Sequence, residues 1–187
     1  MKNIKVTDYC SHIMDLQVKV GDICIDATMG NGHDTVHLAE LVGDDGLVHA
    51  FDIQDAALKA TSNRLAKAGL SDRAKLHLES HENLLKYVEE NSVSCIVFNL
   101  GYLPGGDHSL ATSADSSVRA IGYGLDALKH EGVMIICVYS GGDSGFEEHD
   151  AVLNFIANLN PKEYLVMKTD FFNRSNNPPI PLVIVKL

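Results

Sequence analysis

Apolar residues along the chain fall into short runs that alternate with segments of helical spacing. Four strand-like runs come first, ending at Asp26, Phe51, Leu78 and Phe98, and a fifth spans residues 133–138. Apolar residues at helical spacing predict helices over 6–16, 33–42, 55–68 and 147–159, with a short helix from 81 to 90. Thr112 and Asp115 form a capping-box pattern that predicts another helix, running to Lys129.

Two further strands are predicted at the end of the pattern, over residues 163–172 and 182–187. The polar loop between them, 173–181, is too short to hold a crossover helix. Consecutive strands joined this way are antiparallel neighbours. We therefore predict one α/β domain over residues 1–187. It has a Rossmann-like, mostly parallel seven-stranded sheet, an antiparallel C-terminal hairpin and helices on both faces.

Composition and charge limit the classes of protein that fit this pattern. The 187 residues are 45% hydrophobic and 21% charged, and no apolar run approaches the length of a membrane span. The net charge of −10 argues against a broad basic surface for nucleic acid. Residues 161–187 differ from the rest, since they carry four basic side chains against two acidic ones.

The cysteines and histidines indicate neither disulfides nor a metal site. Cys10, Cys24, Cys95 and Cys137 show no paired spacing, and three of them lie in apolar runs. We interpret them as buried thiols of a protein in the reducing cytoplasm. The nine histidines show no metal-ligand spacing, so no metal is expected.

The stretch from Asp26 to Thr35 connects a strand to a helix through two glycines, Gly30 and Gly32. A dinucleotide-binding turn would have a third glycine where Thr35 stands. The stretch instead has an acid at the strand end, in the pattern D-x-x-x-G-x-G. A carboxylate there suits a cofactor with a cationic amino-acid end and would repel a pyrophosphate. A structural turn with an acid at a strand edge is the alternative interpretation.

Polar residues also follow the next strands, at the edge where ligands bind on such sheets. Asp52 is positioned to accept hydrogen bonds from ribose hydroxyls, and Gln54 to reach the same ribose or an adenine edge. Ser80 and His81 follow the third strand, on the adenine side. An ordinary helix-capping role for Ser80 and His81 is the alternative.

The fourth strand ends in the sequence Asn99-Leu100-Gly101-Tyr102-Leu103-Pro104. Amine methyltransferases often carry Asn/Asp-Pro-Pro-Tyr at this point, and here Leu100-Gly101 replaces the two prolines. We predict that Asn99 orients an acceptor amine and that Tyr102 stacks over it. Asp107 is a candidate proton acceptor. A plain glycine loop is the alternative.

Taken together, these motifs resemble the bacterial family labelled rRNA methylases, a branch of the class I S-adenosylmethionine (SAM) methyltransferases. This family includes the tRNA 5-(aminomethyl)-2-thiouridine methyltransferases of Gram-positive bacteria. The resemblance runs nearly end to end, although the family's Tyr-x-Gly-His loop reads Tyr139-Ser140-Gly141-Gly142 here. It implies SAM as the cofactor. The cofactor-binding residues that we predict are Asp26, Thr28, Gly30, Asn31, Gly32, Asp52, Gln54, Ser80, His81, Asn99 and Leu100.

The resemblance also implies N-methylation of an aminomethyl group on the wobble uridine of tRNA. The anticodon loop would meet the less acidic C-terminal hairpin through Tyr139, Asn173 and Arg174, with Phe171 or Phe172 also available for base stacking. Two alternatives stay open at this point, a small-molecule N- or O-methyltransferase and a non-catalytic nucleotide-binding protein. The sequence does not fix the oligomeric state, a homodimer included.

Overall fold

A seven-stranded sheet forms the centre of the protein. The computed structural model describes residues 5–100, 113–139, 145–174 and 178–187. The strands are β1 (Ile23–Asp26), β2 (Leu47–Asp52), β3 (Ala74–Leu78), β4 (Val93–Leu100), β5 (Leu128–Val138), β6 (Tyr164–Lys168) and β7 (Ile180–Lys186). Their order in the sheet is β3-β2-β1-β4-β5-β7-β6.

The first five strands are parallel and the last two form the antiparallel hairpin that the sequence predicted. Strand β7 lies between β5 and β6 and runs antiparallel to both. Strand β6 therefore runs in the same direction as β5. This direction brings the loop after β6 to the sheet edge where β1, β2, β4 and β5 also end.

Five helices of the described residues cover both faces of the sheet. They are α1 (Val6–Gln17), α2 (His33–Val42), α3 (Asp55–Ala68), α4 (Ala114–Ala127) and α5 (Gly145–Ala157). Buried residues of the first three helices, such as Met14, Leu38 and Leu65, pack on one face. Ile121 of α4 and Val152 of α5 pack on the other. Within the described ranges, no helix is long and apolar enough to cross a membrane.

Several predicted boundaries were wrong. Strand β5 begins at Leu128 instead of residue 133, and the short helix predicted over 81–90 is a 3-10 turn over His81–Lys86. Strand β6 ends at Lys168 because the chain turns at Phe171, whose carbonyl accepts from the Arg174 amide. The capping box of α4 is formed by Ser113 and Ser116 instead of Thr112 and Asp115. Helix α4 ends at Ala127, two residues early, because the next residue already belongs to β5.

Parallel strands place their carboxyl ends at one edge, and the chain reverses its direction of progress across the sheet between β1 and β4. Ligands of open α/β sheets bind in the crevice at such a point. Asp26, Asp52 and Asn99 all lie at or next to this edge, as the sequence predicted.

Candidate active site

The turn after β1 is held by the carboxylate at its start. Asp26 is only 1% exposed, and its two oxygens accept hydrogen bonds from the Thr28 amide (3.1 Å) and the Thr35 hydroxyl (2.6 Å). The side chain therefore points under the turn and fixes its shape. Thr35 is the residue at the third glycine position. Its hydroxyl supplies a contact that a glycine could not make.

The two glycines of the turn adopt left-handed backbone conformations, with φ of 49° at Gly30 and 76° at Gly32. A Cβ at Gly32 would lie 2.8 Å from the Cα of Thr61, so α3 packs directly against the turn. The Thr61 hydroxyl donates to the Gly30 carbonyl (3.2 Å), and Arg64 Nε donates to the Asn31 carbonyl (2.8 Å). The turn is thus a tight backbone cradle supported from one side by α3.

The carboxylate of Asp52 joins the end of β2 to this cradle. It accepts from the Gly30 amide (3.1 Å) and from the Gln54 amide (2.9 Å). Each carboxylate oxygen has a second acceptor site, which can receive a hydroxyl. Gln54 is itself buried, whereas Ile53 between them is 50% exposed and offers an apolar surface beside the acid.

His81 lies beneath the same edge. Its Nδ1 is 3.1 Å from the Ala27 carbonyl, which can only accept, so Nδ1 carries the proton. Nε2 is buried and has no hydrogen-bond partner among the described residues. Burial lowers the pKa of this imidazole and favours the neutral ring. A buried acceptor without a partner fits a ligand that donates. Ser80 instead caps the short 3-10 turn His81–Lys86 by accepting from the Glu82 amide.

At the end of β4, Asn99 is held from two sides. Its amide N–H donates to the Thr28 hydroxyl (2.7 Å), and its side-chain Nδ2 donates to the Asp34 carboxylate (3.3 Å). Its Oδ1 is buried without a partner in the described part of the chain. Leu100, the next residue, is 1% exposed and packs in the core, so only its backbone can face a ligand.

Asp34 is a site residue that the sequence-based prediction missed. It stands in the first turn of α2, and the contact with Asn99 that brings it into the site spans 65 residues of sequence. Its place within the glycine motif was the only signal that could have indicated it. Thr61 and Arg64 had no such signal, because their contacts depend on how α3 packs.

Three carboxylates, Asp26, Asp34 and Asp52, surround this edge and give it a negative potential. Burial, followed by the charges of Asp34 and Asp52, raises the pKa of Asp26 to about 7. Burial also raises the pKa of Asp34. A cationic ligand would stabilise the ionised forms. The site therefore favours binding of a cation with release of protons.

These raised values predict how stability depends on pH. The folded protein holds the Asp26 proton more tightly than the unfolded chain does, whose aspartate pKa is about 4. The extra stability is therefore present at low pH and is lost as the pH rises through about 7. We expect the free energy of unfolding to fall from pH 5 to pH 8. In the Asp26→Asn variant this fall should be smaller by about 1–3 kcal/mol. Denaturant unfolding at each pH measures it.

Asp45→Asn, in the exposed turn after α2, is the control for this measurement. It should keep the pH dependence of the wild-type protein. The same slope in Asp26→Asn as in the wild type would show that another group is responsible.

The cradle, the free acceptor sites of Asp52 and the unpartnered atoms of His81 and Asn99 fit SAM. Asp52 would hold the ribose hydroxyls, and the buried His81 Nε2 fits the adenine amino group. The glycine cradle fits the methionine end, whose ammonium and sulfonium suit the three carboxylates.

Replacing Asp52 with alanine should weaken SAM binding by roughly tenfold or more, because a charge-assisted hydrogen bond contributes about 1.5–3 kcal/mol. Isothermal titration calorimetry with SAM measures the change. Asp55→Ala is the matched control, since Asp55 is an exposed carboxylate three residues along that pairs with Lys59. Equal affinity in the two variants would remove Asp52 from the cofactor site.

Other predicted residues lie around or beyond the described part of the site. Tyr102 and Asp107 are outside the described residues. Tyr139, directly after β5, is 39% exposed, and Asn173 and Arg174 are exposed in the loop after β6. In the described ranges, no group of three or more candidate ligands could hold a metal ion.

Comparison with known proteins identifies the family. The family model described as "Putative rRNA methylase" matches residues 48–185. A chloroplastic tRNA (mnm(5)s(2)U34)-methyltransferase of Arabidopsis thaliana is 34% identical in an alignment of 183 residues that covers 93% of this chain and 67% of that protein.

Two solved structures share the whole architecture. A "putative rRNA-methylase" from Clostridium thermocellum is 40% identical with a TM-score of 0.96 over 100% of both chains. A "putative methyltransferase" of Streptococcus mutans, solved in complex with SAH, is 36% identical with a TM-score of 0.88 over 98% of this chain and 99% of that one.

These similarities confirm the predicted family, the methyltransferase fold and SAM as the cofactor. The fold and the family match both indicate a SAM-dependent methyltransferase, and the negative potential of the site suits the cationic methionine end of SAM. The chain belongs to the "Putative rRNA methylase" family of SAM-dependent methyltransferases.

Proposed function

We propose that this chain methylates the aminomethyl nitrogen of the wobble uridine in tRNA. The observation that carries this proposal is the pair of acceptors at the end of β4. Asn99 Oδ1 is buried without a partner among the described residues, and the Asp34 carboxylate lies against the same side chain. Two acceptors placed together fit the N–H groups of an amine. The name of the Arabidopsis thaliana relative supports a tRNA substrate.

The protein's part in the reaction is to position and deprotonate the amine. Bound SAM supplies a methyl group that its sulfonium already activates. Asn99 Oδ1 accepts a hydrogen bond from the amine and directs its lone pair. Asp34, whose pKa burial raises, takes up the proton of the incoming ammonium at a carboxylate oxygen. The amine is then neutral and correctly oriented, which is what a direct displacement requires.

The loop after β6 is suited to the anticodon arm. The direction of β6 places this loop at the same edge as Asn99. Phe172 in the loop is 97% exposed and provides a flat apolar surface for base stacking. Thr169, at the start of the loop, donates to the Tyr9 hydroxyl of α1 (3.0 Å), which anchors the loop beside the site. Arg174 adds a cation in the least acidic part of the chain.

Arg174→Ala should weaken tRNA binding by roughly 1–3 kcal/mol through the loss of a charged phosphate contact, and it should reduce the salt dependence of binding. Filter binding at several salt concentrations measures both. Lys162→Ala is the matched control, because Lys162 is an exposed cation just before β6, at the opposite edge of the sheet. An equal loss in the two variants would mean that general charge, not this loop, attracts the RNA.

The function is tested by mass spectrometry of nucleosides from tRNA lacking the final methyl group, after incubation with the protein and SAM. We expect one methyl group on the aminomethyl nitrogen. If the tRNA stays unmethylated while a small amine is methylated, the protein would be a small-molecule N-methyltransferase. The net charge of −10 also suits that alternative. A free nucleoside serves as the control substrate. It should react poorly because it lacks the anticodon loop.

A further inference from the structure

Two thiols that are 127 residues apart in sequence touch each other beside the candidate active site. Cys10 of α1 and Cys137 of β5 place their Sγ atoms 3.6 Å apart. Both side chains are buried, with exposures of 5% and 3%. Val6 and Met14 of the same helix pack into the core and hold α1 against the sheet, which keeps the two sulfurs next to each other.

The thiol pair faces a small cavity. Its wall includes Cys10 and Cys137 together with Asp34 and Asn99, the pair of hydrogen-bond acceptors at the end of β4. Thr7, in the first turn of α1, completes the helix side of this cavity. The sulfurs are therefore next to a space of about one water molecule, which a peroxide enters with a slight shift of α1, and little of their surface reaches bulk solvent.

The two sulfurs differ in reactivity. The contact between the two sulfurs lowers the pKa of Cys10 and raises the pKa of Cys137. Cys10 is therefore the sulfur that ionises first. Since the thiolate is the nucleophilic form, Cys10 is the attacking group and Cys137 the resolving one.

We propose that Cys10 and Cys137 form an oxidisable dithiol site that hydrogen peroxide converts into a disulfide between α1 and β5. The Cys10 thiolate attacks one peroxide oxygen, the O–O bond breaks, and a sulfenic acid and hydroxide form. The Cys137 sulfur then attacks the Cys10 sulfur, the S–O bond breaks, and the oxygen leaves as water. Overall, two thiols lose two electrons and two protons, and one peroxide becomes two waters.

The geometry allows this bond with a small movement. A disulfide requires about 2.0 Å between the sulfurs, so each has to move by less than about 1 Å. Rotation about the side-chain torsions and a slight shift of α1 supply such a movement. Trivalent arsenic is a second probe, since it binds two thiols whose sulfurs approach each other closely.

Cys24 and Cys95 are internal controls. They are register partners on β1 and β4, and both are completely buried. Burial raises the pKa of Cys24 to about 12 and raises the pKa of Cys95 well above its ordinary value. Neither is part of the cavity wall that contains Cys10 and Cys137. The two pairs therefore compare a cavity-facing dithiol with an enclosed one in the same molecule.

The test is to treat the folded, reduced protein with hydrogen peroxide, remove the oxidant, unfold, alkylate the remaining thiols and map the peptides by mass spectrometry. We expect a single linked peptide pair containing Cys10 and Cys137, lighter by two hydrogen atoms, with Cys24 and Cys95 alkylated. Arsenite added before the peroxide should block the oxidation of this pair. A disulfide through Cys24 or Cys95, or overoxidised Cys10 without a link, would overturn the proposal.

Two variants complete the test. Cys24→Ser should still form the link, whereas Cys137→Ser should leave Cys10 as an unresolved sulfenic acid that dimedone labels. The circular dichroism spectrum of each variant checks that it is folded, and the wild-type mapping stands if a variant does not fold. No readout depends on methyl transfer, so this site and the proposed function fail or hold separately.

Discussion

Asn99→Ala should lower the rate of methyl transfer by about 100-fold or more, because small misplacements of a reacting atom have effects of this size. SAM affinity should change far less. In the proposed function the lost side-chain oxygen is the acceptor for the amine, whereas the backbone N–H that bonds to Thr28 remains. Single-turnover kinetics with saturating SAM measure the rate, and calorimetry measures the affinity.

Asn158→Ala is the control for this variant, since Asn158 is exposed and its side chain donates to the Asn154 carbonyl one turn earlier. Its rate should match that of the wild type. If Asn99→Ala instead reduced SAM affinity as strongly as it reduced the rate, Asn99 would belong to the cofactor site alone. Another group would then have to orient the amine.

Gly32→Ala should abolish measurable SAM binding and lower the free energy of unfolding by roughly 2–4 kcal/mol. The new Cβ would lie 2.8 Å from the Thr61 Cα, which is backbone and cannot rotate away. The residue would also be strained at φ of 76°. The cradle and α3 would have to separate, and the backbone groups that face the cofactor would move with them.

Gly69→Ala separates the two causes. Gly69 has nearly the same conformation, with φ of 71°, but a Cβ there meets nothing within 4 Å. It should lose only the left-handed strain, about 1–2 kcal/mol, and should bind SAM normally. Denaturant unfolding and calorimetry on both variants measure the difference. Equal effects would mean that conformation alone, without contact to α3, explains the requirement for glycine.

The alternation of apolar runs and helical segments was enough to predict the sheet and the C-terminal hairpin, because each depends on local spacing and loop length. The end of β6 was not predictable in this way. Phe171 and Phe172 are apolar residues beyond the polar stretch 168–170 and could belong to a strand, but the chain turns there and Phe172 extends into solvent. An exposed apolar residue of a loop looks the same in sequence as an apolar residue of a strand.

The positions of Asp26 and Asp52 at the ends of β1 and β2 were predictable from the sequence, because a single residue at a strand end can be recognised by its place in the pattern. The orientation of those side chains was not. Asp26 points under the turn towards Thr35, and Asp34 of helix α2 reaches Asn99 at the end of β4. Such contacts depend on tertiary packing, for which a single sequence has no spacing signal.

The central position of β7 has a consequence for how the protein is made. Strand β7 completes the sheet beside β5 and also provides the only strand partner of β6 in the described residues, yet the ribosome synthesises it after all the other strands. Until then β5 has an open edge of unpaired backbone groups, flanked by apolar residues from Val133 to Val138. Open apolar edges favour aggregation. The chain therefore needs shielding until Ile180–Lys186 pairs with β5, and a chain truncated before β7 would be a target for chaperones and proteases.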